Sequence, residues 1–387
     1  MQRNIRVLTW FNFFTDFKLY APLAIIYFSR VSGSFAAGMS VFSVAMASSA
    51  LFEIPTGIYS DMIGRKKTVI LGALAAVLYS LFYALGGSYR MLIIGALFEG
   101  LSRSFYSGNN EALLHDTLQE EGKHEGFHQH LGTTSSMFQA ALAVSALIGS
   151  VLATWSFSLI MWLSVIPQII CFVLSFYLRE PSVRSDESGN AYAHLKEAFM
   201  QLKTNKKLRW LTIPTVLTYA FGESSYQFQS AFFNTLWPVW AVGFAKTLIN
   251  VLATVSYRKA GAIIKRFSAI QVMLASNLYN RFANIIAAAF PTIMSPLLIA
   301  STSLFYGVSQ VSKSTLFQRE FRDDQRATQS SLGSLLGDLT FGVVAYLVGL
   351  VGDRFSPAQA LLFTNICLLP TTWMYYRIFK HEKSVTL

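Results

Sequence analysis

Apolar runs of about 20 residues recur along the whole chain, separated by short islands that hold most of its charge. Residues 68–86 read TVILGALAAVLYSLFYALG, without one charged side chain. A helix rises about 1.5 Å per residue, so such a run crosses the ~30 Å hydrocarbon core with every backbone amide bonded inside the helix. The pattern predicts an all-α integral membrane protein. Its spans fall near 5–28, 36–60, 68–86, 91–116, 131–154, 157–178, 208–232, 236–256, 267–288, 291–312, 327–351 and 357–379. Charged residues make up 13% of the chain, against about 25% in soluble domains.

Twelve spans place both termini on one side. Alternate loops carry Arg3 and Arg6, then Arg65, Lys66 and Lys67, then Lys123, and the series continues through 179–207, 257–266, 313–326 and the C-terminal tail. The opposite loops offer only Arg30, Arg90 and Arg354. The positive-inside rule then predicts a plasma (inner) membrane protein with both termini cytoplasmic. The net charge of +11 is thereby read as topology, with some contact to anionic membrane lipids, and not as a nucleic-acid footprint.

Residues 1–30 carry Asp16 and Lys18 within the apolar stretch and lack a small-residue cleavage site, so no cleavable signal peptide is expected. Cys171 and Cys367 both lie in apolar runs and suggest neither a disulfide framework nor a metal pair. A GxxxxGK[ST] phosphate loop is absent, which leaves ATP-driven pumping unsupported, and no nucleophile motif appears. The chain reads as a non-enzyme without cofactor or resident metal. His124, His128 and His130, in HDTLQEEGKHEGFHQH, have spacing that zinc sites use, but a histidine-rich solvated connector is the commoner arrangement.

The longest polar stretch, 179–207, lies near the midpoint and divides the chain into 1–178 and 208–387, six spans each. SFYSGNN in span four and LFYGVSQ in span ten share a Phe-Tyr pair, a faint trace of the internal repeats common in transporters. In span five, Ala141, Ser145, Gly149 and Ala153 form an i,i+4 row suited to close helix packing. Pro22, Pro214, Pro291 and Pro296 are placed to kink or begin helices.

Between spans two and three, EIPTGIYSDMIGRKKTV places Gly57, Asp61, Gly64, Arg65 and Lys66 in the order G-x-x-x-D-x-x-G-R-[RK]. This resembles the signature loop of the major facilitator superfamily. EGLSRSFYSGNNEALLHD resembles that family's fourth span, with Arg103 at its buried arginine, and RATQSSLGSLLGDLTFG and GLVGDRFSPAQAL resemble the eleventh span and the turn into the twelfth. The resemblance implies two six-helix halves that rock about a central site, and a monomer is the expected working unit. It also implies that Gly57, Asp61, Gly64, Arg65 and Lys66 form a conformational latch, the plainer alternative being a stop-transfer loop. Two features depart from the family. The loop YRKAGAIIKR keeps Gly261, Lys265 and Arg266 but has no aspartate, and span five lacks the Gly-Pro motif of many antiporters.

Charges at mid-membrane are expensive and need a reason. Glu99 and Arg103 are spaced i,i+4 and share a helix face; they read as a proton-responsive carboxylate poised by an arginine, or as a permanent ion pair. Asp16 sits mid-span in the first helix, and Lys18, two residues on, is expected on another face. Glu99, Arg103 and Asp16 are the candidate proton-coupling residues. Tyr226 and Gln227 with Glu223 in span seven, Lys246 and Asn250 in span eight, Asn277 and Arg281 in span nine, and Asp338 in span eleven are the candidate substrate-binding residues. Lys18, Arg103, Lys246 and Arg281 roughly offset Asp16, Glu99, Glu223 and Asp338, so this set declares no substrate sign. The reading is proton-coupled efflux of a small organic or amphipathic solute by alternating access. Proton-coupled uptake and lipid-like flipping stand as alternatives, with a non-transporting receptor behind them.

Overall fold

In a computed structural model the described residues are 2–120, 127–182, 199–200, 202–320 and 323–379, and every regular element among them is helical. Span one is α1 (Gln2–Asp16), a joint containing a 3-10 turn at Ala21–Leu23, and α2 (Ala24–Ser32). Spans two and three are α3 (Phe35–Ile63) and α4 (Arg65–Leu85). α5 (Tyr89–Tyr106) and α6 (Asn109–Glu120) follow, then α7 (Phe127–Ala153), α8 (Phe157–Leu163) and α9 (Val165–Phe176). Spans seven to nine are α10 (Lys206–Leu236), α11 (Val239–Phe267) and α12 (Ala269–Ala289). Span ten is α13 (Ser295–Ser301), a 3-10 turn (Thr302–Phe305) and α14 (Tyr306–Glu320). α15 (Asp323–Arg354) is span eleven, and α16 (Pro357–Cys367) with α17 (Leu369–Phe379) is span twelve. Most of the 179–207 connector, with His124 and the His128 side chain, lies outside the described residues.

Helix starts follow local chemistry. Ser34, Ser88, Ser156, Asn205 and Ser356 each turn a side-chain oxygen onto an amide in the first turn of the helix that follows. Those amides have no intrahelical acceptor, so a short polar side chain is the residue type that begins a helix.

Among the described residues, six helical stretches, 35–53, 65–85, 136–153, 157–176, 239–267 and 332–354, are long and apolar enough to cross a membrane by composition alone. The other six expected spans are more polar or interrupted: span one is broken after Asp16, spans ten and twelve are broken mid-length as span six is at Ser164, and spans four, seven and nine carry Glu99 with Arg103, Glu223, and Arg281. The breaks and the buried polar groups belong to one architecture.

Packing between the first six and the last six spans is concentrated at one end. α3 lies along α15 and α7 along α11. Ser43 on α3 donates to the Gly342 carbonyl at 2.7 Å, and Thr247 on α11 donates to the Ala143 carbonyl at 3.1 Å. One apolar cluster, including Leu23, Phe28, Phe228, Phe232, Val242 and Phe341, joins both sets of helices there. At the opposite end the clusters are separate: Leu8, Phe11, Val69, Leu113 and Leu178 in one half, Leu211, Met273, Leu316 and Tyr375 in the other. The second half of α3 accordingly leaves Leu51 and Met62 more than 70% exposed.

The small-residue row of span five is a packing seam. Ala141, Ser145, Gly149 and Ala153 are buried, and a Cβ added at Gly149 would stand 1.9 Å from the Leu19 carbonyl oxygen. Gly57 behaves otherwise: an added Cβ meets nothing within 4 Å, because it lies on the open face of α3, opposite Thr56 and Ser60, which pack against Ser104 and Asn109. Gly64 makes the expected sharp turn, with φ 99° and ψ 158° between α3 and α4. The corresponding turn of the second half is at Ser268 (φ 63°, ψ 150°), since residues 257–266, expected as a loop, continue α11 as helix. Gly261 is therefore a helical residue.

Candidate functional site

Span one loses its helix at Asp16, and the residues that follow are freed from helical register. Lys18 occupies this joint, where Leu19 N–H is held by the Ser164 hydroxyl at 3.0 Å. A continuous helix would set Lys18 on a different face from Asp16; the break at this point instead brings it beside Glu99 on α5. Lys18 Nζ lies 3.9 Å from Glu99 Oε1 and stands over the Tyr79 ring at 5.1 Å. The Tyr83 hydroxyl donates to Glu99 Oε2 at 2.8 Å. Asp16 lies within electrostatic range of Lys18, Arg103 and Glu99.

Arg103 is not the direct partner of Glu99. Its Nη1 reaches Met46 Sδ at 3.5 Å. The i,i+4 spacing brings the two residues to one face, but the joint delivers a second cation that takes the carboxylate. Arg103 is surface-accessible although protein surrounds it, as befits a cation lining a cavity. Its electrostatic neighbours include Glu99 on its own helix and Tyr219, Glu223 and Asp338 from the second half of the chain.

On that facing wall, Tyr219 donates to Asp338 Oδ1 at 2.7 Å, and Gly337 leaves room for the tyrosine ring. Gln227 donates to Glu223 Oε1 at 2.7 Å. Lys246 is buried, donates to the Tyr226 carbonyl at 2.6 Å and to Gln229 Oε1 at 3.3 Å, and lies 3.8 Å from the centre of the Tyr226 ring. Asn250, also buried, bonds the Tyr226 side chain. Glu53 on α3 is half-buried, lies within range of Asp338 and accepts from Ser107 at 3.4 Å.

Asn277 and Arg281 sit apart from this wall. α12 packs against α13, α14, α16 and α17; Arg281 is buried and donates to Asn365 Oδ1 on α16 at 3.0 Å, while Asn277 is half-buried. Sequence reasoning passed over Tyr83, Tyr79, Tyr219 and Glu53. Aromatic hydroxyls carry no spacing signal of their own, and Glu53, though inside the expected span 36–60, reads as part of the charged stretch that leads into the signature turn.

At the signature turn, Glu180 accepts from the amides of Arg65 and Lys66, both at 2.7 Å, capping the first turn of α4. Arg65 Nε lies 3.7 Å from Asp116, which is fully buried, and Asn109 donates to the Arg65 carbonyl at 3.1 Å. The Asp61 side chain lies outside the described residues.

A helical membrane bundle whose polar groups gather between two sets of six spans is the architecture of a solute transporter. The chain belongs to the Major Facilitator Superfamily, whose profile matches residues 7–345, and it is a transporter and not an enzyme. It is 23% identical over 376 residues to Multidrug resistance protein 2 of Bacillus subtilis (strain 168), covering 89% of each chain. A Na(+), Li(+), K(+)/H(+) antiporter of Planococcus maritimus is 26% identical over 188 residues, 46% of this chain and 42% of that protein. An uncharacterized transporter of Buchnera aphidicola subsp. Acyrthosiphon pisum (strain APS) is 26% identical over 160 residues, and the match spans only 40% of its length. The crystal structure of nucleoside transporter NupG superposes with a TM-score of 0.83 over 97% of this chain and 98% of that one, at 13% identity, a likeness of fold.

Proposed function

We propose that the protein is a proton-linked secondary transporter of the plasma (inner) membrane, exporting a small organic or amphipathic solute by alternating access. Residues 1–178 and 208–387 are its rocking halves, 179–207 their cytoplasmic link, and the monomer its working unit. The observation that carries the reading is the Glu99 carboxylate held between Lys18 and Tyr83 at the joint of span one. An ionised Glu99 attracts Lys18; a proton added from water to the carboxylate cancels that attraction and frees the ammonium. Because Lys18 sits in the joint, the change is passed to the backbone between α1 and α2. Asp16 stands beside Lys18 to receive the released cation. Arg103 faces the acids of the second half and links the coupling centre to the solute.

The solute site lies between Arg103 and the wall of Tyr219, Glu223, Tyr226, Gln227, Asn250 and Asp338, with Lys246 bracing Tyr226 from behind. With Arg281 turned toward α16 and Glu53 brought in, the central carboxylates are Asp16, Glu53, Glu99, Glu223 and Asp338, against Lys18, Arg103 and Lys246. That excess favours a solute carrying positive charge. The likeness to a multidrug resistance protein across most of both chains supports export, and the antiporter relative supports exchange against protons. Proteoliposomes loaded with a lipophilic cationic dye and given a pH gradient test the proposal. Dye movement that follows the gradient in sign and size supports it; movement indifferent to the gradient removes proton linkage.

A further inference from the structure

The first turn of α3 draws its hydrogen bonds from two sources. Ser34 accepts from Ala37 N–H at 3.0 Å, the local cap. The two preceding amides, of Phe35 and Ala36, donate to the two carboxylate oxygens of Asp353 at 2.6 and 2.8 Å. Asp353 belongs to the last turn of α15, more than 300 residues away and in the other half of the chain. A carboxylate at a helix N-terminus satisfies orphan donors and meets the positive end of the helix dipole.

The surroundings are built for close contact at this point. A Cβ added at Gly349, one turn before Asp353, would lie 2.5 Å from Ala36 Cα, so glycine is what lets α15 reach the α3 backbone. The Phe35 ring meets Phe228 edge-on at 5.2 Å, and a Cβ at Gly352 would lie 2.6 Å from the Phe228 ring. Asp353 itself is exposed. Water can therefore replace it on the amides, a property suited to a contact that must open. Glu180, at the start of the 179–207 connector, makes the same two-amide cap on α4 at 2.7 Å, without joining the two halves.

We propose that Asp353 is the gate latch that closes the transport path at the end where α3 begins, by capping α3 from the opposite half. The proposal rests on the alternating-access reading, under which this contact must break once per cycle. It requires no titration of Asp353: the opening step exchanges two protein hydrogen bonds for bonds to water.

The test is the distance between the two halves at that end. Spin labels on Arg90→Cys and Gln359→Cys, in a background lacking Cys171 and Cys367, report it in nanodiscs without any transport assay. Asp353→Asn keeps the shape but loses one acceptor oxygen and the charge. It should enlarge the long-distance population about threefold to tenfold, the range of a lost helix cap. Gly349→Ala should widen the same distance by a steric route, and Glu180→Gln should leave it unchanged. Size-exclusion profiles identify any variant that fails to fold. An Asp353→Asn distribution identical to the parent overturns the latch. A parent protein that shows one distance at every pH and solute concentration counts against alternating access itself, whatever Asp353→Asn does.

Discussion

Glu99 is shared: Tyr83 donates to one carboxylate oxygen at 2.8 Å and Lys18 stands 3.9 Å from the other. Glu99→Gln, fixing the neutral state, is expected to abolish flux driven by a pH gradient while keeping solute exchange at equilibrium. Both are measured in the same vesicles. Gradient-driven flux that survives would move the coupling role to Asp16, Glu223 or Asp338.

Lys18→Met should be worse for stability than Arg103→Met. Removing Lys18 strips the only cation within ion-pair distance of Glu99 among the described residues, in a setting where both side chains are under 20% exposed. The loss should be about 1–3 kcal/mol, between a surface pair and a fully buried one. Arg103, which touches Met46, should instead cost solute affinity, read as a raised KM with the melting temperature nearly unchanged. The opposite ranking would restore the Glu99–Arg103 pair suggested by spacing alone.

The contrast between these two cations shows where sequence reasoning reached its limit. Depth and spacing were enough to single out Glu99, because a mid-membrane acid is rare whatever surrounds it. Its partner was hidden by the end of α1 at Asp16, several residues before Pro22, the only visible breaker. Gly64 was legible because a sharp turn calls for glycine. Its counterpart Ser268 was not, since serine gives no sign of a positive φ. Arg281 misled for another reason: a polar helix looks alike from sequence whether its polar face meets a cavity or a neighbouring helix.

That neighbour gives Arg281 a separate test. Arg281→Leu removes a buried donor to Asn365 and leaves that amide oxygen without it, a change expected to lower stability by about 1–3 kcal/mol. A thermal shift with unchanged KM in the protein that remains folded would make Arg281 a helix tie. A raised KM at unchanged stability would return it to the solute site.

Ser268 holds φ 63° and ψ 150°, a region that side chains rarely occupy. Ser268→Gly should relieve roughly 1 kcal/mol of backbone strain and raise the melting temperature by a few degrees. Gly64→Ser should do the reverse at the matching turn, φ 99°. Equal melting curves for Ser268→Gly and parent would show that this turn stores no strain.

The signature turn carries the next expectation. Arg65 is engaged by Asp116 and its backbone by Asn109 and, from the start of the connector, Glu180, so the turn is firmly seated against its own half. Gly57 on the adjoining face stands open, leaving space for α15 to close against it. If Asp61 latches that closed state, Asp61→Asn should slow transport at least tenfold with normal expression and melting temperature. Wild-type rates in Asp61→Asn would reduce the motif to a topology signal.

The charge of the central wall gives the most direct handle on the solute. Asp338 is held by the Tyr219 hydroxyl and Glu223 by the Gln227 amide, both neutral donors, and Lys246 is occupied by the Tyr226 carbonyl and Gln229. Neither acid has a basic side chain within ion-pair distance among the described residues, so their field remains available to a solute. Removing one charge at this depth should weaken binding of a cation by about 1–3 kcal/mol, or roughly fivefold to a hundredfold in KM. Asp338→Asn preserves the bond from Tyr219 and isolates that charge effect; Tyr219→Phe removes the bond and keeps the charge. A cationic dye should lose affinity in Asp338→Asn, and a neutral solute of similar size should not. If both lose affinity equally, Asp338 shapes the wall and its charge does not select the solute. If neither does, the solute binds elsewhere than between Arg103 and α15.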